Sequence, residues 1–305
     1  MLKRAAESIK YRNGKYHEEN QYLNLLEDIL NTNEEFVGRN GKTLSIYGAA
    51  MHFSLENNKI PILTTKKVAW KTCLRELLWF IKGETSNKKL NEQKVRIWDA
   101  NSTRDFLDSR NLHDREVDDL GPIYGFQWRH FNAEYTNCDA DYERKGIDQL
   151  IEVINCLKDP AQRNSRRMII SAWNPCQLDE MALPPCHILM QFNVHNDTKL
   201  SCSMYQRSND EACGTPFNIA SYSFLTHLLA KHCDLEAYEF VYFKGNCHIY
   251  DEHIEAIKEQ LNREPYEFPT LEILKKRENI NNYVEEDFVL QNYMFHEPIK
   301  YKMVA

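Results

Sequence analysis

Residues 187–210 read HILMQFNVHNDTKLSCSMYQRSND. Apolar residues recur up to Val194, Asn196-Asp197 supplies turn chemistry, and Leu200, Cys202 and Met204 then alternate at period two. This pattern predicts a β-hairpin, with a first strand over 187–195 and a second running through Leu200, Cys202 and Met204. Just beyond it, apolar residues at 217, 220, 224, 225 and 228 describe a long, buried helix over 217–233. A hairpin directly followed by such a helix argues against a purely doubly wound parallel sheet, so the fold class is read as α+β.

The same reading extends in both directions. Tyr22, Leu25, Leu26 and Ile29 give an amphipathic helix near 20–31, and residues 43–55 (TLSIYGAAMHFSL) are strand material. Residues 69–81 are dense in apolar side chains but carry one carboxylate, Glu76. Residues 132–146 are polar and read as a surface insertion; Ile147 to Leu157 form a helix that stops before Pro160. Further strands are expected over 167–173, 238–243 and 271–273, and a helix through Ile254, Ile257 and Leu261. Residues 1–18 are polar and aperiodic and are read as a loose arm, leaving 19–305 as one domain without repeats or linkers.

The 305 residues carry 45 acidic and 38 basic side chains, a formal charge of −7. That balance argues against a protein that coats nucleic acid, which needs clustered positive charge. No apolar run approaches the ~20 residues of a membrane span, and the first twenty residues lack an apolar signal core. A cytoplasmic protein is expected. Nine cysteines without any CxxC pair give no support to a zinc ribbon, and no metal ligand set is expected.

Several short constellations offer chemistry. In Leu183-Pro184-Pro185-Cys186-His187 two prolines fix the backbone before a thiol, which suits a thiol presented in a pocket, although from these residues alone a buried cysteine after a tight turn is the better-supported reading. His187 follows Cys186 directly on an extended segment, so the two side chains point to opposite faces and a Cys–His hydrolase pair is disfavoured. Arg207-Ser208 supplies a guanidinium fork and a hydroxyl suited to phosphate, and Arg166-Arg167 and Arg39 add positive charge. Asn218, at the head of a helix, suits either a cap or a base-reading amide. His248 and Tyr250 share one face of an extended segment and can converge on one hydroxyl.

Taken together, the segments LTTKK (63–67), ELLWFIKG (76–83), IWDAN (97–101), GPIYGFQWRHF (121–131), SRRMIISAWNP (165–175), ALPPCH (182–187), YQRSND (205–210), PFNIASY (216–222) and HIY (248–250) resemble the thymidylate synthase family, from about residue 20 to the C-terminus. The resemblance is to the monofunctional form. It implies a large mixed β-sheet with flanking helices, and a homodimer packed sheet to sheet. It also implies reductive methylation of dUMP to dTMP with methylenetetrahydrofolate as carbon and hydride donor, and no metal. The alternatives are a deoxyuridylate or deoxycytidylate hydroxymethylase on the same fold and, secondarily, a regulator that binds RNA.

Carried over residue by residue, the resemblance makes Cys186 the nucleophile toward carbon 6 of uracil. Glu76 handles protons and water at the base, Asn218 reads the pyrimidine edge, and Tyr124 joins the catalytic network. Arg39, Arg207 and Ser208 would hold the phosphate, with Arg166 and Arg167 reaching in from the partner subunit; His248 and Tyr250 would bind the 3′-hydroxyl. Lys66, Trp98, Asn101, Asp210, Gly214 and Phe217 would line the folate site, Asp210 also bordering the substrate, and the tail ending at Ala305 would close over both ligands. Asn246, Cys213, Thr215 and Ala69 stand where the family usually carries other residues.

Overall fold

The computed structural model describes residues 9–32, 34–38 and 41–301. From the N-terminal side come strands β1 (Tyr11–Arg12) and β2 (Lys15–Tyr16), helix α1 (Asn20–Leu30), and strands β3 (Glu35–Gly38) and β4 (Gly41–Ser54). Helices α2 (Trp70–Ile81), α3 (Asn87–Glu92), α4 (Arg104–Ser109), α5 (Tyr124–His130) and α6 (Gln149–Lys158) follow. The second half contains β5 (Ile169–Ser171), β6 (His187–His195), β7 (Lys199–Asp210), α7 (Gly214–His232), β8 (Glu236–Tyr250), α8 (Ile254–Leu261), β9 (Thr270–Ile273) and β10 (Phe288–Gln291).

The hairpin at 187–210 is β6–β7, paired from His195↔Lys199 back to His187↔Gln206. Asn196 and Asp197 both hold positive φ, 51° and 61°, the backbone a two-residue turn demands and that Asn and Asp tolerate. The main sheet has the order β3-β4-β8-β7-β6-β5. Every pairing is antiparallel except the central one: β7 and β8 run parallel, from Lys199↔Glu236 to Asp210↔His248. Parallel neighbours need a crossover, and α7 supplies it. This helix buries residues all round, among them Ile219, Phe224, Leu225 and Leu228, against Met204, Phe240 and Tyr242 of the sheet and Leu74 and Leu77 of α2. The opposite sheet face leaves Ile169, Leu189 and Phe243 exposed.

Three expectations are corrected. Residues 9–18, read as part of a loose arm, include the β1–β2 hairpin, and the Asn20 side-chain amide donates to the Lys10 and Lys15 carbonyls at 3.0 and 3.1 Å. Asn13-Gly14, both at positive φ, is the turn signal that the polar composition masks; residues 1–8 lie outside the described residues. The insertion at 132–146 is packed: Tyr135 and Tyr142 stack at 5.6 Å and close on Phe126 as a small second core. The strand expected over 167–173 is shorter, 169–171, whereas that expected over 238–243 runs the full length of β8. Among the described residues no helix is long and apolar enough to cross a membrane.

Candidate active site

The proline pair delivers Cys186 to the mouth of β6, where two residues fix it. Its backbone N–H donates to the Tyr124 hydroxyl at 2.7 Å. The Arg207 backbone N–H donates to the Cys186 carbonyl at 2.9 Å. The Arg207 guanidinium is locked by the Pro185 and Pro184 carbonyls, through Nε at 2.8 Å and Nη2 at 2.9 Å, and Nη2 also lies 3.9 Å from the thiol sulfur. Burial pushes the Cys186 thiol up, while the Arg207 charge and the Tyr124 hydroxyl pull it down. Burial prevails, so the resting side chain is a thiol beside a fixed cation.

On α2, Glu76 accepts from the Trp98 indole Nε1 at 2.7 Å and lies near enough to Tyr124 for its charge to act on that phenol. Desolvation raises its carboxyl to about 7, against the smaller opposing pull of that hydrogen bond. Such a group is near half-protonation at neutral pH and can give or take a proton. Burial raises the Tyr124 phenol well above its usual range, so it keeps its proton. His187 does point away from Cys186: it stacks on Tyr124 at 4.1 Å, with Nδ1 2.7 Å from the Tyr222 hydroxyl. Its packing among rings pulls its pKa down to about 3, which keeps it neutral and rules it out as the cysteine's base at neutral pH.

Asn218 is not a cap. The residue preceding α7 is Cys213, and Asn218 lies within the helix, donating from Nδ2 to Gln206 Oε1 at 2.8 Å. Gln206 is held in turn: its Nε2 donates to the Ser208 carbonyl at 2.8 Å, and the buried Tyr242 hydroxyl lies 2.6 Å from its Oε1 and 2.8 Å from Asn209 Oδ1. A primary amide is therefore fixed in orientation by a network that reaches across β7 and β8. One helical turn before Glu76, the Cys73 thiol donates to the Phe217 carbonyl at 3.3 Å, tying α2 to the start of α7.

The β7–β8 register places Ser208 opposite Asn246 and Asp210 opposite His248. With Tyr250, Thr43, Gly38 and Gly41, residues Ser208, Asn246 and His248 line a cavity of about 260 Å³. His248 Nδ1 is 2.8 Å from Asn246 Oδ1, which orients the ring. Asp210 accepts the backbone N–H groups of Ala212 and Cys213 at 2.9 and 3.1 Å. Behind this wall, Lys244 Nζ and Glu211 Oε2 form an ion pair at 2.6 Å with both side chains fully buried, and Lys244 also donates to Thr215 Oγ1 of α7 at 3.0 Å.

Other expected residues are placed less directly. Arg39 and Ala305 lie outside the described residues. Lys66 is buried, donating to the Ala212 carbonyl at 2.6 Å beneath the Tyr301 ring, so it offers no ammonium to the surface. Trp98, the partner of Glu76, precedes a single tight turn over Asp99–Asn101, and the Asn101 N–H donates to the Trp98 carbonyl at 3.1 Å. Arg166 and Arg167 are exposed and form no ion pair among the described residues. The Arg166 carbonyl accepts from Gln191 Nε2 at 2.9 Å, which sets Arg166 beside β6 at a point well beyond Cys186. Sequence reasoning missed Gln206, Tyr242, Tyr222 and the Glu211–Lys244 pair. The YQRSND segment was the one signal pointing to Gln206.

The sequence matches the family model for thymidylate synthase over residues 20–305. It is 53% identical over 300 residues to the bifunctional dihydrofolate reductase-thymidylate synthase of Plasmodium chabaudi, covering 98% of this chain and 50% of that protein. It is 50% identical over 290 residues to the bifunctional protein of Zea mays, covering 95% and 55%. A probable thymidylate synthase of Schizosaccharomyces pombe is 50% identical over 307 residues, covering 97% and 48%. The chain thus spans about half the length of the curated relatives it matches. With a family match across nearly its whole length, and a mixed six-stranded sheet gathering Cys186, Arg207, Tyr124 and Glu76, the chain belongs to the thymidylate synthase family.

Proposed function

We propose that the protein converts dUMP to dTMP with methylenetetrahydrofolate, using Cys186 as the nucleophile. The observation that carries this reading is the clamp on Cys186 between Tyr124 and Arg207, with a second neighbour of that tyrosine, Glu76, carrying a carboxyl poised near neutrality. Arg207 and Ser208 hold the phosphate, the Arg207 charge favouring the thiolate as the sulfur adds to carbon 6 of uracil. Asn218, oriented by Gln206, pairs with the pyrimidine edge; His248 and Tyr250 take the 3′-hydroxyl. Glu76 moves protons at the base.

Trp98 and Phe217 offer aromatic faces, and Asp210 and Asn101 polar contacts, that suit a flat folate ring, with Gly214 allowing close approach and Lys66 beneath. Methylenetetrahydrofolate, when bound, supplies the one-carbon unit and the hydride. The tail ending at Ala305 excludes water, and Arg39 completes the phosphate site. Residues 19–305 act as one catalytic domain in the cytoplasm.

A homodimer completes the site. Arg166 and Arg167 are exposed and form no ion pair among the described residues, which suits a reach into a second copy, and exposed Ile169, Leu189 and Phe243 give the sheet face an apolar surface for that copy. The test is mass analysis of the nucleotide after incubation with dUMP and methylenetetrahydrofolate. A product one methylene heavier supports the proposal. A hydroxymethyl product, or unchanged dUMP, overturns it.

A further inference from the structure

Three potential metal ligands that are scattered in sequence converge beside the candidate folate wall. Asp210 ends β7, Cys213 precedes α7, and His253 lies on the turn after β8; one ligand atom from each lies within 4.8 Å of the other two. Each is held in place. Asp210 Oδ1 accepts two backbone N–H groups, which orients the carboxylate and leaves Oδ2 for a further partner. The His253 ring stands edge-on to Tyr250 and Tyr301, with centroids 5.8 and 5.4 Å away. Burial, reinforced by the negative charges of Asp210 and Glu252, pushes the Cys213 thiol up to about 12, with Lys66 as the opposing cation.

We propose that Asp210, Cys213 and His253 form a zinc-binding site. Carboxylate, thiolate and imidazole make up a ligand set typical of this borderline-soft ion, and three protein ligands leave a fourth position for water. Binding balances as one Zn²⁺ taken up and one proton lost from the Cys213 thiol, and the charges of Asp210 and the thiolate then neutralise the ion. Lys66, beside Cys213 and bonded to the Ala212 carbonyl, opposes the metal, so its removal tightens binding. The site overlaps the position proposed for folate through Asp210. Zinc therefore competes with folate, a consequence that rests on the proposed reaction, whereas metal binding does not.

Cobalt(II) is the probe, because a thiolate ligand gives an intense charge-transfer band and tetrahedral coordination gives strong visible bands. The full chain is expected to bind one Co²⁺, displaceable by Zn²⁺. The band should persist in Cys186→Ala, disappear in Cys213→Ser, and weaken by roughly tenfold or more in affinity in His253→Gln and Asp210→Asn. Lys66→Gln should bind more tightly. Circular dichroism on each variant identifies any that fails to fold, and Cys213→Leu then replaces Cys213→Ser. No thiolate band in the wild-type chain, a band that survives loss of Cys213, or one lost with Cys186 would overturn the site. The spectrum needs no turnover, so its failure is distinct from failure of the proposed reaction.

Discussion

Arg207 holds Cys186 through two different groups: its backbone N–H bonds the cysteine carbonyl at 2.9 Å, and its guanidinium, anchored on the two preceding prolines, reaches within 3.9 Å of the thiol. The nucleophile and its cation therefore move as one body. Replacing the sulfur alone should leave that body intact. Cys186→Ser is expected to bind dUMP within a few-fold of wild type by calorimetry while losing turnover, since a hydroxyl is a far weaker nucleophile here. Equal losses of binding and rate would make the cysteine structural.

Glu76 provides a pH signature. Its carboxyl is raised by desolvation from an ordinary 4.5 to about 7, so the folded chain holds this proton more tightly than the unfolded chain does. The resulting stability is fully present below about pH 4.5 and is lost as pH rises through 7. Glu76→Gln cannot ionise and lacks this loss. Urea melts should show the variant gaining about 3 kcal/mol on wild type between about pH 4.5 and 8. Its turnover should fall by roughly 100-fold or more. Parallel pH–stability curves would refute the assignment.

Asn218 is fixed by Gln206 and not by a capping bond. Under the proposed pairing Asn218→Asp removes the amide donor to O4 of uracil, and the ratio of dUMP to dCMP binding should drop by roughly 100-fold. An unchanged ratio would leave the amide without a role in base choice.

The Lys244–Glu211 pair is fully buried, with no hydrogen-bond partner for Glu211 Oε1 among the described residues. Lys244→Met strands a buried carboxylate and should cost about 3–5 kcal/mol in a denaturant melt. The double change Glu211→Leu with Lys244→Met should recover most of that loss. Additive losses would mean that the two residues do not act as a pair.

The shared site is tested by mixing defects. Homodimers of Cys186→Ser and of Arg166→Glu should each be nearly inactive. In a heterodimer, one site then carries both defects and the other neither, so mixing should restore activity once subunit exchange is shown by mass tagging. With exchange shown, no recovery would place Arg166 outside the partner's site.

Local pattern made β6–β7 and α7 legible, because period-two and period-3.6 burial and an Asn-Asp turn act over a few residues. The family motifs added Cys186, Arg207, Glu76 and Asn218 as candidates. Their supports were not legible. Tyr124 is 62 positions from Cys186, and Gln206 meets Asn218 only because α7 folds back over β7. The β1–β2 hairpin and the Tyr135–Tyr142 cluster were hidden by polar neighbours, since composition averages away a turn pair or two aromatic rings.

The one parallel pairing also sets the order of assembly. β6 and β7 can zip through a two-residue turn on the microsecond scale of an isolated hairpin, whereas β8 must wait for a whole helix to form and dock before it can align beside β7. Ser208 meets Asn246, and Asp210 meets His248, only in that late alignment. A nascent chain on the ribosome therefore presents Cys186 and Arg207 well before it owns the other wall of the pocket, and early intermediates lack the proposed nucleotide site.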